Sequence, residues 1–564
     1  MVSKSTLPID IFPTWARLND VEFTNARLQE TDGKGIGLVA TNNLTASVET
    51  WGREGAEDRP EIEGQVCNSD GEKGERARVE THGHANNRLK KILQVPHDLI
   101  LSTASIEEYA KVDQNFRQLL DSAGHQSTRA DIMMYLLAHL VLSSRDTSSP
   151  RVIVPTPWTE YLKFLPRDIP VPTMWSELER ALLRGTSLEA ALDAKLSALN
   201  KEFDELIERS SALPFWNSFF WEREAVTIGD WVLVDAWYRS RCLELPKSGH
   251  AMVPVLDMAN HSHSQTAYYD EDDEDNIVLL SRPGMEISIG DEVNISYGEK
   301  SPAEMIFSYG FIDPESNVEE LTLPLESLAD DPLAKAKLHI FRGSPTLKLS
   351  RSDGEISWQC PFVYLMCLNE EDGLEFRVLQ GTNGDRELRL FWQEEDATAR
   401  ANDFGDLIKN HPLCQIFRLR AVSVLYEVVT DHLMQISSEI SHDELEPLRR
   451  AGQIRDGRLQ LAQKLREIEA SVIGSAAIAL DEQVVMLFFE FPMFHVCGPG
   501  QAALEANTSP DSPETLPGPG MSGNVLRILG LPACMSRNLA GGARSHTELS
   551  LHFFDTSACT IQNE

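Results

Sequence analysis

VNISYGEKSPAEMIFSYGF, residues 293–311, is the stretch around which the rest of the chain can be ordered. Its first five residues, Val293 to Tyr297, alternate apolar and polar and predict a short strand. That strand delivers Tyr297-Gly298, and a second pair, Tyr309-Gly310, follows with Phe311 behind it. Upstream, VPVLDMANHSHS (253–264) is an apolar run that ends by presenting Asp257, Asn260 and His261. Near the start, DGKGIGLVAT places Gly35 and Gly37 among Ile36, Leu38 and Val39, a strand with a close backbone approach. Taken singly, each patch has an ordinary structural explanation. A loop histidine needs only a hydrogen bond, and buried tyrosines are common core aromatics with bonded hydroxyls. A lone GxG without a third glycine and a following helix is no dinucleotide fingerprint.

Around these patches the pattern changes several times. Lys91 to Ser102 (KILQVPHDLILS) is strand-like, Ile277 to Leu280 predicts another strand, and Gly290-Asp291 predicts a turn. Residues 128–210 are helical in period. Leu188, Leu192, Leu196, Leu199, Phe203 and Leu206 share one helix face, with Thr186 or Ser187 as its N-cap. The proline-broken segment Pro157 to Trp175 predicts an extended connector. Beyond residue 320 the period is helical again: Phe417, Ala421, Val424 and Val428 share a face, as do Leu461, Leu465, Ile468 and Val472. Residues 46–89 are polar and charged, too poor in large apolar side chains to offset their ordering entropy, and predict a disordered insertion. Gly, Pro, Ser and Thr predict a disordered tail over 497–564. The same composition would fit translated intron sequence, which a transcript would decide.

The chain has 564 residues, a prior of roughly three to four domains. Its apolar content of 42% excludes disorder throughout. Lys and Arg number 51 against 87 Asp and Glu, a net charge of −36. Such a surface repels phosphates and anionic lipid heads, so direct nucleic-acid binding and membrane binding are not expected. A lysine-bearing partner suits it better. The acidic run Asp270 to Asp275 (DEDDED) reads as a solvated loop or as an acidic lip for a basic peptide. The eight cysteines are scattered, without a CxxC pair, so neither a zinc site nor a disulfide framework is expected. MVSKSTLPIDIFPTW has no apolar core of signal-peptide length. The longest apolar run, Met133 to Leu142, is too short to span a bilayer. A cytoplasmic or nuclear location and a monomer are the expectation.

The order GxG, NHS, YG and YGF resembles the SET domain of protein lysine methyltransferases. The block YLKFLPRDIPVPTMWSELERALLRGTSLEAAL is similar to the helical insert of one subfamily, that of the Rubisco large-subunit lysine methyltransferase. IFRLRAVSVLYEVVTDHL and LAQKLREIEASVIGSAA are similar to its C-terminal substrate-binding domain. The resemblance implies an α+β chain, a β-rich SET fold split by a helical insert and followed by an all-α substrate-binding domain. The SET parts would be 15–45, 90–127 and 225–318, the insert 128–224, and the helical domain 319–496. It implies S-adenosyl-L-methionine as cofactor. Lys34, Gly35, Ile36 and Gly37 would lie along its methionine part, with Lys34 acting through backbone where the family often has an acidic or neutral residue. Arg241 would face its carboxylate, Asn260 and His261 would hold its amino group and adenine, and Phe311 would pack on the adenine. Tyr297 and Tyr309 would flank the target lysine as catalytic residues, with no metal. Asp257 and one of Tyr268 or Tyr269 would form the substrate wall, the choice between them open. The implied partner is a protein bearing the target lysine, ribosomal or otherwise non-histone. A non-catalytic SET-fold scaffold and a protein-histidine methyltransferase remain as alternatives.

Overall fold

The computed structural model describes residues 6–31, 33–45, 90–144, 153–222, 226–380, 385–438 and 442–489. The expected insertion at 46–89 and tail at 497–564 lie outside the described residues. The chain divides into two compact units. The first is Met1–Glu319 with Glu439–Ile468, the second Glu320–Ser438 with Glu469–Glu564.

The strands of the first unit are β1 (Glu22–Phe23), β2 (Ala26–Thr31), β3 (Gly35–Ala40), β4 (Leu44–Thr45), β5 (Lys91–Val95), β6 (Cys242–Leu245), β7 (Gly249–Met252), β8 (Ala267–Glu271), β9 (Ile277–Ser281), β10 (Glu286–Ile287) and β11 (Glu292–Val293). They form small sheets in the orders β1-β5-β9-β8, β11-β3-β2, β10-β4 and β6-β7. In every sheet the strands before residue 96 pair with strands after residue 241 or with each other. The helical segment between them is therefore an insertion into one β-rich body. Its helices include Thr128–Ser143, Leu188–Ser211 and Ile228–Arg241. Leu188, Leu192, Leu199, Phe203 and Leu206 are buried as the periodicity predicts, while Ser187 precedes the helix without a capping side-chain bond.

The expected extended connector is only partly extended. Pro157 occupies the first turn of a short helix, Pro157–Tyr161, and Pro172 opens a 3-10 turn, Pro172–Met174. Proline lacks only an N–H that a first turn leaves unpaired anyway, so these prolines start helices. The predicted strand Val293 to Tyr297 is paired in a sheet only at its start. Ile295 then leaves β3 and bridges His261 in parallel.

Residues 439–468 join the first unit through charge as well as apolar packing. Glu179, with 1% of its side chain exposed, accepts from Arg455 Nη2 at 2.7 Å and from Arg458 Nη1 at 2.6 Å. Leu459 and Leu465 pack with Leu182, Leu188 and Leu192.

The second unit corrects the all-α expectation. It holds two three-stranded sheets, β12 (Glu319–Pro324), β13 (Thr346–Ser352) and β14 (Glu355–Gln359), then β15 (Leu374–Gln380), β16 (Arg386–Trp392) and β17 (Glu395–Asp396). Leu321 and Leu323, then Leu347 and Leu349, are buried at alternate positions, the period of a half-buried strand. The helical expectation holds for Cys414–Ser437 and Asp456–Phe489. The latter contains a longer apolar stretch than Met133–Leu142: an 18-residue window within residues 456–488 reaches a mean hydropathy of 1.5, sufficient by length and composition to cross a bilayer. Its Val472, Ile473, Ala476 and Leu480 are buried in the core of the second unit, while Ile478 and Met486 are exposed.

Candidate active site

β3 lies between β2 and β11 and carries the GxG segment. Gly35 has φ +79°, a conformation that favours glycine. At Gly37 the constraint is space. A Cβ there would stand 2.7 Å from Glu292 Oε1 and 2.8 Å from Asn260 Nδ2. Those two groups are themselves joined: Asn260 Nδ2 donates to Glu292 Oε1 at 2.6 Å. Lys34 Nζ donates to the other oxygen, Oε2, at 3.1 Å. Glu292 thus ties the Lys34 turn to the NHS segment across the bare backbone of Gly37. Lys34, expected to act through its backbone where the resembled family often has an acidic or neutral residue, also pairs its side chain with a carboxylate from β11.

Next to this cradle the NHS and YG segments are bonded side by side. Ile295 N donates to Asn260 O at 3.0 Å and Ser262 N to Ile295 O at 3.1 Å. Tyr297 N donates to His261 Nδ1 at 3.1 Å, so the ring proton sits on Nε2, 3.1 Å from Asp313 Oδ2. Burial lowers the His261 pKa and Asp313 opposes that shift. The aromatics gather here: Tyr297 and Tyr309 rings are 4.6 Å apart, and Phe311 lies 6.1 Å from His261 and 6.2 Å from Tyr309. The Tyr297 hydroxyl donates to Ala259 O at 2.8 Å. Burial raises its pKa well above the ordinary phenol range, so it stays protonated.

Tyr309 ends the helix Pro302–Tyr309, which Ser301 and Glu304 cap reciprocally. Gly310 terminates that helix at φ +81°, and a Cβ on it would stand 2.6 Å from Pro170. The second YG therefore needs its glycine on two counts, backbone conformation and contact.

Asp257 has no exposed side-chain surface. Arg241, in the last turn of Ile228–Arg241, gives Nη1 to Asp257 O at 2.9 Å and to Oδ2 at 3.3 Å. The Tyr161 hydroxyl donates to Asp257 Oδ1 and accepts from Val255 N at 3.0 Å. Val255 sits at φ +72°, strained for a β-branched residue. Burial raises the Asp257 pKa, and Arg241 and Tyr161 pull it back.

Asp257, Arg241, Tyr269, Tyr297 and Tyr309 all line one cavity of about 800 Å³. Tyr268 does not line it. Neighbouring residues on β8 point to opposite faces, and it is Tyr269 that faces the cavity. None of the six acids of DEDDED lines it either. Glu271 is buried and accepts from Lys247 N and from Ser248 Oγ, and Asp275 pairs with Lys247 Nζ at 2.6 Å. That run braces the β6–β7 turn. Sequence reasoning missed Tyr161, Glu292 and Asp313, whose partners lie 96, 32 and 52 residues away, beyond any local pattern.

No family model matches the chain. SET domain-containing protein 8 of Schizosaccharomyces pombe is 29% identical over 364 residues, 63% of this chain and 79% of that one. The chloroplastic Rubisco large-subunit N-methyltransferase of Pisum sativum is 30% identical over 197 residues, 32% of this chain and 39% of that one. A solved structure of Rubisco LSMT bound to AdoMet superposes with a TM-score of 0.57 over 93% of this chain and all of its own, at 20% identity, a likeness of fold. The chain is thus similar to SET-domain proteins, the Rubisco large-subunit N-methyltransferases among them. In this chain the GxG, NHS and YG segments come together in one place. The actin-histidine N-methyltransferase of Gallus gallus is also similar, 24% identical over 42% of each chain. The chain spans about two-fifths of the length of the Pisum and Gallus relatives.

Proposed function

We propose that this chain is an S-adenosyl-L-methionine-dependent protein-lysine N-methyltransferase acting on a non-histone protein. The observation that supports it most is that Tyr297, Tyr309 and Asp257 line one cavity with Arg241, beside the Gly37 cradle. The residues fit the cofactor. At Gly37 the backbone is bare because any side chain would collide with Glu292 and Asn260. Arg241 Nε is buried and meets no partner, a donor suited to a carboxylate. Gly35, Ile36 and Gly37 would hold the methionine part, Asn260 and His261 the amino group and adenine, and Phe311 the adenine face. When bound, the cofactor supplies an electrophilic methyl group on a sulfonium.

The rest falls to the chain. A lysine amine must arrive unprotonated, although its ordinary pKa is about 10.4. An aromatic channel disfavours the charged amine by desolvation. Tyr297 and Tyr309, whose ring centres lie 4.6 Å apart and which therefore touch, form one aromatic side of that channel and exclude water from it. Orientation of this kind can supply roughly 7–11 kcal/mol. The buried Asp257, fixed by Tyr161 and Arg241, aligns the amine end of the substrate.

The test is incorporation of radiolabelled methyl groups into a cell extract by wild type and by Tyr297→Phe. The variant loses the bond to Ala259 O, worth about 1 kcal/mol, and its rate is expected to fall at least about fivefold. Equal incorporation would remove Tyr297 from its role. Calorimetry with S-adenosyl-L-methionine separates a catalyst from a scaffold, which need not bind it. Mass spectrometry of the modified residue separates lysine from histidine, the target named for the Gallus relative.

A further inference from the structure

The cavity that Tyr297 and Tyr309 line has a second set of walls, made by the helical insert. Arg129, Lys195, Arg239 and Asp235 reach it from the helices Thr128–Ser143, Leu188–Ser211 and Ile228–Arg241. Asp235, with no exposed side-chain surface, is the hub. It accepts from Arg129 Nη2 at 2.7 Å, from Lys195 Nζ at 2.9 Å and from Arg239 Nη2 at 3.2 Å. Glu202 takes the outer edge of Arg129 at 2.8 and 3.1 Å. Three cations thus share two carboxylates. Around the whole cavity, five lining side chains are Lys or Arg and four are Asp or Glu.

The surplus cation is not buried out of reach. Arg129, Lys195 and Arg239 keep 22%, 20% and 12% of their side chains exposed. Arg239 Nε is buried and has no hydrogen-bond partner. Burial, together with repulsion from Arg129 and Arg239, lowers the Lys195 pKa although its ammonium touches Asp235. A further carboxylate would relieve that repulsion. The arrangement runs against the charge of the chain as a whole, which is −36. At physiological salt, charges beyond about 8 Å are largely screened, so a ligand in the cavity would respond to this local cluster.

We propose that this end of the cavity is a carboxylate subsite, which takes an aspartate or glutamate side chain of the substrate protein close to the target residue. The inference rests on the methyltransferase reading of the cavity and adds a sequence preference set by the insert helices. A carboxylate could also come from the methionine part of the cofactor, and the experiment distinguishes the two sources.

The full chain is titrated by calorimetry, in the presence of S-adenosylhomocysteine, with end-blocked peptides. Each has a central lysine in a glutamine background, and a single glutamate is walked from four positions before it to four after. At one or two positions glutamate is expected to tighten binding about tenfold over glutamine, with the advantage shrinking as salt rises. Lys195→Met leaves two cations on two carboxylates and is expected to abolish the advantage. Lys195→Arg is expected to keep it. The Kd for S-adenosyl-L-methionine, measured separately, is expected to change less than twofold in both. No glutamate advantage at any position, no peptide binding at all, or an advantage that survives Lys195→Met would each overturn the proposal. A fall in cofactor affinity in Lys195→Met, without a peptide effect, would assign the cluster to the cofactor and overturn it also. Glutamate-dependent binding with no methyl transfer to any peptide would uphold the subsite and refute the methyltransferase reading alone.

Discussion

Replacing Tyr161 by phenylalanine takes one oxygen atom out of the interior and leaves the ring in place. Two groups lose a partner: the carboxylate of Asp257, which keeps Arg241, and the N–H of Val255, held at φ +72°. A buried group left unsatisfied costs about 1–3 kcal/mol, so the pair should cost about 2–6 kcal/mol. For a unit of this size about 2 °C of Tm accompanies each kcal/mol, which places the expected loss at about 4–12 °C. The loss should also depend on pH. Burial raises the Asp257 pKa above its unfolded value and the Tyr161 hydroxyl lowers it, so removing the hydroxyl raises it further. A raised folded pKa favours the native state at low pH and penalises it as pH rises through that value. Wild type and variant should therefore draw together below the folded pKa, where Asp257 is protonated in both, and separate as pH rises. The assay is thermal unfolding over a pH series from about 3 to 8. The Val255 contribution should appear throughout, the Asp257 contribution only where Asp257 is ionised in the folded state. A second measurement uses the Asp257→Asn background, where the pH-dependent part of the Tyr161→Phe effect should vanish. A loss under about 2 °C, or the same loss at every pH of the series, would refute the coupling of Tyr161 to an ionised Asp257.

Two other perturbations follow from the geometry. Gly37→Ala puts a Cβ at 2.7 Å from Glu292 Oε1 and must part it from Asn260. Overpacking of this order costs about 1–3 kcal/mol, so cofactor affinity by calorimetry should fall about fivefold to a hundredfold; an unchanged Kd would remove the cradle from the site. His139 is fully buried, with Nδ1 2.8 Å from Thr159 Oγ1, and burial lowers its pKa to about 3. Because the folded value lies below the unfolded value of about 6.5, its contribution to stability is present above pH 6.5 and is lost as pH falls toward 3. His139→Leu should flatten the acid limb of Tm between those values, and parallel limbs in the two proteins would argue against a neutral buried histidine.

The motifs legible in the sequence are those whose chemistry is local. Gly37 read as a close backbone approach, and it proves to be a place where a Cβ would collide with Glu292; Gly310, legible only as part of the second YG, is another, against Pro170. The Leu188 to Leu206 face read as a core stripe because a helix writes its burial into its own period. What escaped is what needs a second segment. Tyr161 lies in a proline-rich stretch that looked like a connector, and its meaning comes from Asp257, 96 residues on. The strands β12 to β16 carried an alternating pattern in LTLPL and TLKLS, but they are short and lie before two long amphipathic helices whose period dominated the reading. The choice between Tyr268 and Tyr269 could not be made until β8 was paired with β9, because one register step exchanges the two faces.

Charge separates the surface from the site most sharply. From composition alone, an excess of acid on the chain suggested a basic partner, with the Asp270 to Asp275 run read as a solvated loop or as an acidic lip to meet it. That run instead spends two of its carboxylates on Lys247 and Ser248 at the β6–β7 turn. The cavity holds the opposite balance, with Arg129, Lys195 and Arg239 around Asp235. The two facts are compatible because they act at different ranges. Net charge governs encounter and solubility over distances beyond a Debye length, and contact pairs govern what is held once water is displaced. A substrate segment with a lysine near an acidic residue satisfies both. Its lysine is favoured on approach to an acidic surface, and its carboxylate becomes favourable only where the insert helices bring three cations together.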